Sequence, residues 1–304
     1  MLNAESGTLR DVDIGRLGAL IERVLGEAGH EIVSLAPADR PIDEALEEAF
    51  EGGIDCLLVG GGDGSISAAA ALAWRRGAIL AVLPGGTMNL YARTLGLPLD
   101  VEEAVRALGT ARVRAVDIAT ANGRPFLHQF SVGIHANAVR LRQNASYDSR
   151  LGKLAATVGA FWRAVVHPIA FGVVVGIDGA AGERERLSAL SVSNNLFGRD
   201  HLPYADDPAG GTLGVYRGAP GGFTRVAGMV IDVMLGRARA NEDIRIDRAE
   251  RVELRFPRRN RRLKALLDGE LIDATERVEI VMHPGELRVL LPESPSSGTT
   301  EPSS

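Results

Sequence analysis

The chain has 304 residues, a formal net charge of −5, an apolar content of 45% and a charged content of 24%. This is the composition of an ordinary globular protein long enough for two domains, and the negative net charge argues against a dedicated nucleic-acid-binding protein. The single cysteine, Cys56, excludes a disulfide framework or a cysteine-based metal site and favours a reducing compartment. No apolar run predicts a membrane span and no signal peptide is visible, so we expect a cytoplasmic protein.

The first residues, 1–10, are interpreted as the end of a strand running into a loop, which makes the first strand either truncated or very short. Apolar residues at helical spacing then predict a helix over Ile14–Ala28 that ends at Gly29. Alternation predicts a strand over His30–Leu35, and an acidic helix is predicted over Pro41–Glu51.

The next stretch has the features of an anion-binding corner. The apolar run Cys56–Val59 predicts a buried parallel strand, and it leads into Gly60-Gly61-Gly62-Asp63-Gly64 and an alanine-rich helix over Ile66–Trp74. Glycine backbone and a helix N-terminus together direct N–H groups toward a phosphate. Asp63 would repel that phosphate unless it binds a metal ion or takes up a proton, which makes it a candidate for chemistry. A tight turn with no chemical role is the alternative.

A second unit of the same kind follows directly. The predicted strand Ala78–Leu83 leads into Pro84-Gly85-Gly86-Thr87-Met88-Asn89 and a helix to about Leu95, and Val101–Leu108 predicts another helix. Strands separated by short helices form parallel βαβ units that bind ligands outside their carboxyl ends. We therefore expect the two glycine corners to face one crevice.

From about Val113 the sequence changes to short alternating segments with turn signals between them, which predicts a mostly antiparallel β domain. The predicted strands are Arg114–Ala119, Phe126–Val132, Ile169–Ile177, Leu187–Val192, Thr212–Tyr216, Ile244–Ile246, Arg251–Phe256, Lys264–Leu267, Val278–Met282 and Glu286–Leu291. Helices are predicted at Leu151–Val166 and Phe223–Leu235. The tail from Pro292 is rich in Ser, Pro and Thr and is predicted to be disordered.

Three separated segments resemble the diacylglycerol kinase catalytic-domain family, which covers bacterial lipid kinases and sphingosine kinases. They are Gly61-Gly62-Asp63-Gly64-Ser65, the stretch from Pro84 to Pro98, and Asp268-Gly269-Glu270. The opening Leu2-Asn3-Ala4-Glu5-Ser6-Gly7 resembles the first nucleotide loop of that family, with Ala4 where proline is usual. Pro284 to Val289 resembles its closing strand, so the resemblance extends from Asn3 to Pro292.

The resemblance implies an α/β protein with two domains. Residues 1–118 would form an N-terminal three-layer nucleotide-binding domain with a parallel sheet, and residues 119–285 a C-terminal, mostly antiparallel β-sandwich domain. Residues 286–292 would return as a strand to the first domain, and residues 293–304 would form the disordered tail.

The resemblance also implies phosphoryl transfer from Mg·ATP to a lipid hydroxyl, that of diacylglycerol or a related neutral lipid, as in phospholipid biosynthesis. The residues implied at the nucleotide are Asn3, Ser6, Gly61, Gly62, Gly64, Ser65, Gly86, Thr87 and Asn89. The implied catalytic carboxylates are Asp63, Asp268 and Glu270, and the same three are the candidates for binding Mg²⁺. One aspartate would orient or deprotonate the hydroxyl, and the choice between the two stays open. For Asp268-Gly269-Glu270, a plain hairpin turn is the alternative.

The chain departs from the family pattern in its acidic residues. Leu90 follows Asn89 where an aspartate is usual, and Gly210 and Gly214 occupy two positions at which many bacterial members bind a structural magnesium ion. A structural metal is therefore not expected there, although Asp206 and Asp207 lie just upstream.

A further departure concerns the lipid. His135 and Asn137 lie in the segment where sphingosine kinases carry an acidic residue that meets the lipid amine, which disfavours an amino-lipid substrate. His135 itself is interpreted as packed or partly exposed rather than catalytic.

The lipid acceptor implies peripheral contact with a membrane surface. Leu151–Val166 is a basic amphipathic stretch that would lie on an anionic bilayer or, alternatively, face the core. Four arginines, Arg258, Arg259, Arg261 and Arg262, form a second basic cluster, interpreted as a hairpin tip, a phosphate clamp or a headgroup contact. No nucleic-acid partner is expected, and a homodimer is left open.

Two other functions remain as alternatives. The missing acidic residues at Leu90, Gly210 and Gly214 motivate a non-catalytic nucleotide-binding regulator on a decayed lipid-kinase fold. A kinase of a soluble acceptor such as NAD shares the Gly-Gly-Asp-Gly loop but not the rest of the pattern.

Overall fold

The computed structural model describes residues 1–33, 42–143, 166, 170–257 and 263–292. The chain divides into two compact units, one made of Met1–Ala115 with the segment from Arg288, the other of Val116–Leu287. The domain boundaries predicted from the sequence lie after residues 118 and 285. The predictions for residues 151–165, for the arginines at 258–262 and for the tail from residue 293 lie outside the described residues.

The first unit alternates helices and strands as the sequence predicts. Its elements are α1 (Ile14–Glu27), α2 (Ile42–Glu51), β1 (Cys56–Gly61), α3 (Asp63–Arg76), β2 (Ile79–Pro84), α4 (Leu90–Thr94) and α5 (Val101–Leu108). The strand predicted at His30–Leu35 is wrong for its described part, because His30–Val33 are not in a strand. The N–H of His30 instead donates to the carbonyl of Leu25 at 2.9 Å, beyond Gly29 at φ +86°, and so closes the end of α1.

The strands of this unit form a parallel sheet. β1 pairs with β2 in parallel, and at the end of the last strand Arg288 and Val289 pair in parallel with β2. Leu2 makes a single parallel bridge to Gly60, so the predicted short first strand is one bridge long.

Helices cover both faces of this sheet, which gives the predicted three layers. On one face Ala81 and Leu83 of β2 pack in a core with Leu17 and Ile21 of α1 and with α5. On the other face α3 packs against β1 and β2 through buried small and branched side chains. Ile66, Ala69, Ala70 and Ala73 form that buried stripe, and their small volume lets the helix approach the strands closely.

The second unit consists mostly of β-strands. Its elements are β3 (Arg112–Ala121), β4 (Arg124–Phe126), β5 (Gln129–Gly133), α6 (Ile134–Gln143), β6 (Phe171–Ile177), β7 (Arg184–Leu187), β8 (Ala189–Ser193), β9 (Leu213–Gly218), α7 (Phe223–Met234), β10 (Ile244–Ala249), β11 (Arg251–Arg255), β12 (Lys264–Leu267), β13 (Glu270–Asp273) and β14 (Arg277–Leu291). β3 begins and β14 ends in residues of the first unit.

Two layers of strands enclose the core of the second unit. One is an antiparallel six-stranded sheet in the order β10-β9-β8-β5-β12-β13. In the other, β14, β11, β6 and β7 are antiparallel neighbours. The core contains side chains from both layers, such as Phe130 and Val215 from the first and Val173 and Val252 from the second. The predicted mostly antiparallel β-sandwich is confirmed.

Four predicted strands are divided or joined in the structure, each for a local reason. Phe126–Val132 is two strands, because the N–H groups of Leu127 and His128 leave the sheet to bind a carboxylate. Leu187–Val192 is also two strands, β7 and β8, and they belong to different sheets. The last two predicted strands are one continuous strand, β14, which passes through Gly285 at φ +67°.

Two elements are absent from the sequence prediction. Helix α6 begins directly after Gly133, whose φ of +95° turns the chain out of β5, and β13 is the return strand of a tight hairpin. None of the helices described is a candidate membrane span, since the longest have 14 residues whereas a bilayer requires about 20.

Candidate active site

Three loops of the first unit converge at the carboxyl ends of its strands. The N–H of Asn3 donates to the carbonyl of Gly60 at 2.8 Å, and the N–H of Thr8 donates to the carbonyl of Gly85 at 2.9 Å. The N–H of Gly85 in turn donates to the carbonyl of Gly61 at 2.9 Å. The opening segment and both glycine corners are therefore one hydrogen-bonded group, as the parallel βαβ interpretation predicts.

The close approach of these loops explains their glycines. A Cβ on Gly86 would lie 2.7 Å from the Cα of Gly62, and a Cβ on Gly7 would lie 2.8 Å from the carbonyl oxygen of Gly85. In both cases the obstruction is backbone, which cannot move aside as a side chain can. Glycine is required here for contact between loops rather than for an unusual backbone angle.

The polar side chains of the loops are used to connect them. Nδ2 of Asn3 donates to Oγ of Ser65 at 3.0 Å, and Oγ of Ser6 donates to the carbonyl of Asn3 at 2.8 Å. Asn89 is buried at φ +50°, and its Oδ1 accepts the N–H of Gly86 at 2.7 Å. These four predicted nucleotide-binding side chains thus hold the loops in place. Gly64 and Thr87, in the two glycine corners, are exposed.

Asp63 lies where the two glycine corners meet. It is the first residue of α3, half-buried, and its Oδ1 accepts the N–H of Tyr91 in the first turn of α4 at 3.2 Å. A carboxylate at a helix N-terminus is stabilised by the helix dipole and by the unpaired N–H groups there. The N-termini of α3 and α4 therefore offset part of the negative charge of Asp63, which reduces its repulsion of a phosphate.

In the second unit Asp268 forms a hairpin turn and binds three backbone N–H groups. It begins the two-residue turn between β12 and β13, at φ +46° and followed by Gly269 at φ +85°, which is the backbone of a type I′ hairpin. Its carboxylate accepts the N–H groups of Leu127 at 2.7 Å, His128 at 2.8 Å and Gln129 at 3.0 Å. The hairpin alternative is therefore correct for the backbone, and the carboxylate also fixes the segment between β4 and β5.

Glu270 has a different environment from its neighbour. It is exposed at the start of β13 and forms an ion pair with Arg124 of β4. Asp63 belongs to the first unit, whereas Asp268 and Glu270 belong to the second. The hydrogen bonds that the structure gives to these three carboxylates lie within their own units.

Asp117 is a buried carboxylate that the sequence interpretation missed. Only 2% of it is exposed, and it accepts the N–H of Gly211 at 2.6 Å and the N–H of Gly285 at 2.8 Å. It joins the loop before β9 to the middle of β14. A charged residue within the apolar strand Val116-Asp117-Ile118 is the sequence signal that could have identified it.

Packing explains one of the two glycines that replace acidic residues, Gly214. A Cβ on Gly214 would lie 2.7 Å from Oγ of Ser193 and 2.8 Å from the ring of Tyr216, so an aspartate does not fit. Nearby, Asp206 pairs with Nε2 of His201 at 2.7 Å, and Oδ1 of Asp207 accepts the N–H of Ala209 at 2.9 Å. Within the described parts of the chain, no group of three or more His, Cys, Asp or Glu side chains forms a candidate metal site.

The second unit contains an apolar cavity of about 210 Å³. Its walls come from the antiparallel sheet, from the start of α6 and from α7, and the apolar lining includes Leu190, Phe197, Met229 and Val233. A cavity lined in this way favours an apolar ligand that carries few polar groups.

One wall of the cavity carries a small polar group. Nδ1 of His135 lies 3.1 Å from Oγ of Ser131 and 3.5 Å from Nε2 of Gln129, and Ser191 donates to Oε1 of Gln129. His135 is exposed at the start of α6, which agrees with its interpretation as partly exposed. The cavity therefore combines an apolar volume with hydroxyl, amide and imidazole groups that can hydrogen-bond to a ligand hydroxyl.

Comparison with known proteins identifies the first unit. Residues 1–121 match the family model of the diacylglycerol kinase catalytic domain. This stretch contains both glycine corners and Asp63, so the resemblance based on the motifs is confirmed.

Relatives extend the similarity beyond residues 1–121. A Pseudomonas aeruginosa protein named "Probable lipid kinase YegS-like" is 29% identical over 290 residues, which cover 88% of this chain and 86% of that protein. A protein of the same name from Pseudomonas syringae is 29% identical over 280 residues, with 84% and 82% covered.

Solved structures share the fold. A Bacillus anthracis structure described as a diacylglycerol kinase has a TM-score of 0.68 at 18% identity, and it covers 95% of this chain and 94% of that one. A second structure from the same organism has a TM-score of 0.72 at 20% identity, with 95% and 93% covered. At these identities the likeness establishes the fold alone, and it includes the β-sandwich as well as the first unit.

Proposed function

We propose that the protein transfers the γ-phosphoryl group of ATP to the hydroxyl of a neutral lipid, diacylglycerol or a close relative. The observation that carries this proposal is the convergence of the opening segment and both glycine corners around Asp63, within a domain of the diacylglycerol kinase family. The apolar cavity in the second unit supports a lipid acceptor, because a soluble polar acceptor would not need it.

The loops of the first unit suit the phosphates of a nucleotide. Transfer of a phosphoryl group needs N–H donors around the phosphates and offset of the charge that develops on the transferred group. Gly64 and Thr87 present exposed backbone beside the N-terminus of α3, where N–H groups lack partners within the helix. Asn3, Ser6 and Asn89 keep the loops together so that these donors are preorganised.

The donor set is suitable for a magnesium ion. Mg²⁺ binds carboxylate oxygens and usually enters such sites together with substrate phosphates. One oxygen of Asp63 accepts the N–H of Tyr91, so its other oxygen can serve either the ion or the lipid hydroxyl, and in the reaction proposed here it serves the hydroxyl. Bound with the nucleotide, Mg²⁺ would offset the negative charge of the phosphates.

For the transfer itself we assign the role of orienting or deprotonating the lipid hydroxyl to Asp63. The hydroxyl oxygen forms the new bond to the γ-phosphorus, the bond from that phosphorus to the β,γ-bridging oxygen breaks, ADP leaves, and the hydroxyl proton passes to the carboxylate. Asp268 is less suitable, because both of its oxygens already accept backbone N–H groups. We assign it the positioning of the turn that carries Glu270.

The experiment is a transfer assay with purified protein, Mg²⁺ and ATP labelled in the γ-phosphate. Diacylglycerol, monoacylglycerol and a sphingoid base are offered separately in mixed micelles, and NAD is offered in solution. Labelled phosphatidic acid or its monoacyl counterpart is the expected product. ATP binding without transfer to any of these acceptors would reject the proposal and favour a non-catalytic regulator, and labelled NADP would identify a kinase of a soluble acceptor.

A further inference from the structure

The outward face of α7 is unusually apolar at its C-terminal end. Among the described residues, Ile231 is 56% exposed, Leu235 47% and Met234 41%, and the three are neighbours on the surface of one helix end. Soluble proteins expose such side chains singly, and a contiguous group indicates an interaction surface.

Helical geometry shows that this face is separate from the one that holds α7 to its unit. At about 100° per residue, the buried Val226 and Met229 lie on one side of the helix, whereas Ile231 and Met234 lie on another. Arg225 and Asp232 occupy the narrow polar strip between the two. A helix this apolar around its circumference is expected to be covered on more than one side.

The exposed face is continuous with the cavity. Val230 and Val233 of α7 line the cavity, and Met234 both lines it and is exposed to solvent. A ligand that leaves or enters along α7 therefore passes from the cavity lining to the exposed apolar face without crossing a polar barrier on this helix.

Positive charge follows the apolar group directly. The chain continues Leu235-Gly236-Arg237-Ala238-Arg239, with both arginines exposed. The nearest carboxylate to Arg237 is that of Asp200, and the two groups are 3.9 Å apart, which is a weak and solvated contact. Apolar side chains flanked by exposed arginines match the boundary between the acyl chains and the anionic headgroups of a bilayer.

We propose that the face of α7 from Ile231 to Leu235, together with Arg237 and Arg239, docks on an anionic lipid bilayer. Docking would place the cavity rim at Met234 against the membrane, so that an acceptor lipid can enter without passing through water. This inference deepens the proposed function, and the lipid acceptor rests on that function. The docking itself can be measured without catalysis.

The test compares vesicle binding by two variants that each add two negative charges at exposed apolar positions. The double variant Ile231→Glu/Leu235→Glu removes the apolar face, and the control carries Leu99→Glu and Val113→Glu, because Leu99 and Val113 are 41% and 47% exposed but lie in the first unit. Sedimentation with vesicles of phosphatidylglycerol and phosphatidylcholine should show a loss of partitioning of about tenfold or more for the double variant, since burial of apolar side chains drives interfacial binding. The control should bind as the unaltered protein does.

Other outcomes would overturn the inference. Unchanged vesicle binding by the double variant, with its thermal unfolding intact, would exclude this face. Light scattering that shows a dimer for the unaltered protein and a monomer for the double variant would assign the face to a second copy of the chain instead. Arg237→Gln/Arg239→Gln should weaken binding only to vesicles that contain phosphatidylglycerol, and equal loss on pure phosphatidylcholine would contradict the electrostatic part.

The result is separable from that of the kinase assay. If the double variant still phosphorylates a short-chain diacylglycerol dissolved as monomers but fails on vesicles, both proposals are supported. If the unaltered protein binds vesicles but phosphorylates no lipid, and the double variant loses vesicle binding, the docking surface is supported and the proposed reaction is rejected.

Discussion

The carboxylate of Asp63 and the backbone N–H of Tyr91 connect the two glycine corners, with 3.2 Å between Oδ1 and the nitrogen. Asp63 begins α3 and Tyr91 lies in the first turn of α4, so one side chain serves two helix N-termini. This relationship separates the structural use of Asp63, which requires an oxygen acceptor, from its proposed chemical use, which requires a negative charge.

The first prediction uses that separation. Asp63→Asn retains an oxygen for the N–H of Tyr91, and we expect thermal unfolding to be nearly unchanged while the rate of transfer falls by about 10²-fold or more. Asp63→Ala should lose the same activity and should also lower the free energy of unfolding by about 1 kcal/mol, since it removes a helix cap. Initial rates and urea denaturation measure the two effects. Activity of Asp63→Asn above a tenth of the original would argue against a role for the charge.

The second prediction concerns the contact between the corners. Gly86→Ala would place a Cβ 2.7 Å from the Cα of Gly62, and we expect it to weaken ATP binding and to cost about 1–3 kcal/mol of stability. Gly26→Ala is the matched control, because a Cβ there meets nothing within 4 Å and Gly26 lies outside the loops. As Gly26 lies in α1, alanine should stabilise the helix by about 0.5–1 kcal/mol. Calorimetric titration with ATP should separate the two variants, and equal affinities would show that the loop contact is not needed.

The third prediction distinguishes Asp268 from Glu270. Asp268→Asn presents an amide N–H₂ group to a site with three N–H donors, and we expect it to lower the free energy of unfolding by about 1–3 kcal/mol. Glu270→Gln disrupts only an exposed ion pair with Arg124, so its effect on stability should stay within about 1 kcal/mol. A loss of activity in Glu270→Gln that Arg124→Gln does not reproduce would indicate a direct role for Glu270. Equal losses of activity in both variants would show that Glu270 acts only through its ion pair with Arg124.

The fourth prediction concerns alkaline pH. Burial raises the pKa of the Tyr216 phenol above its ordinary value of 10.0, and the hydroxyl accepts the N–H of Phe197 at 2.7 Å. The folded state therefore favours the neutral phenol, so this contribution to stability is complete below pH 10 and is lost as the pH rises from there through the pKa of the folded protein. Tyr216→Phe should remove that part of the alkaline loss of stability. It should also cost about 1–3 kcal/mol at neutral pH, because the N–H of Phe197 loses its acceptor.

The measurement for this prediction is urea denaturation between pH 8 and 11 on both proteins, with ultraviolet titration of tyrosine as an independent readout. A parallel pH dependence for the two proteins would show that Tyr216 does not contribute.

The local elements of the first unit and its phosphate-binding character can be predicted from the residues alone. Strand, glycine corner and helix N-terminus are close in the chain, and their preferences depend on apolar spacing and on backbone freedom that neighbouring residues set. For this reason α5 has its predicted limits and Asp63 could be named from the motif alone. The same local information wrongly predicted a strand at His30–Val33. The N–H of His30 donates to the carbonyl of Leu25 instead, which closes the end of helix α1.

The roles of the carboxylates and the location of the cavity depend on long-range contacts that are visible in the folded chain alone. Asp117 and Gly285 are 168 positions apart in the chain, and Asp268 binds N–H groups that precede it by about 140 positions. Contacts at such separations depend on how strands pair across the sandwich, which the residues near each partner do not specify. The cavity and the exposed face of α7 have the same origin, because the side on which a largely apolar helix is covered depends on the sheet against which it packs.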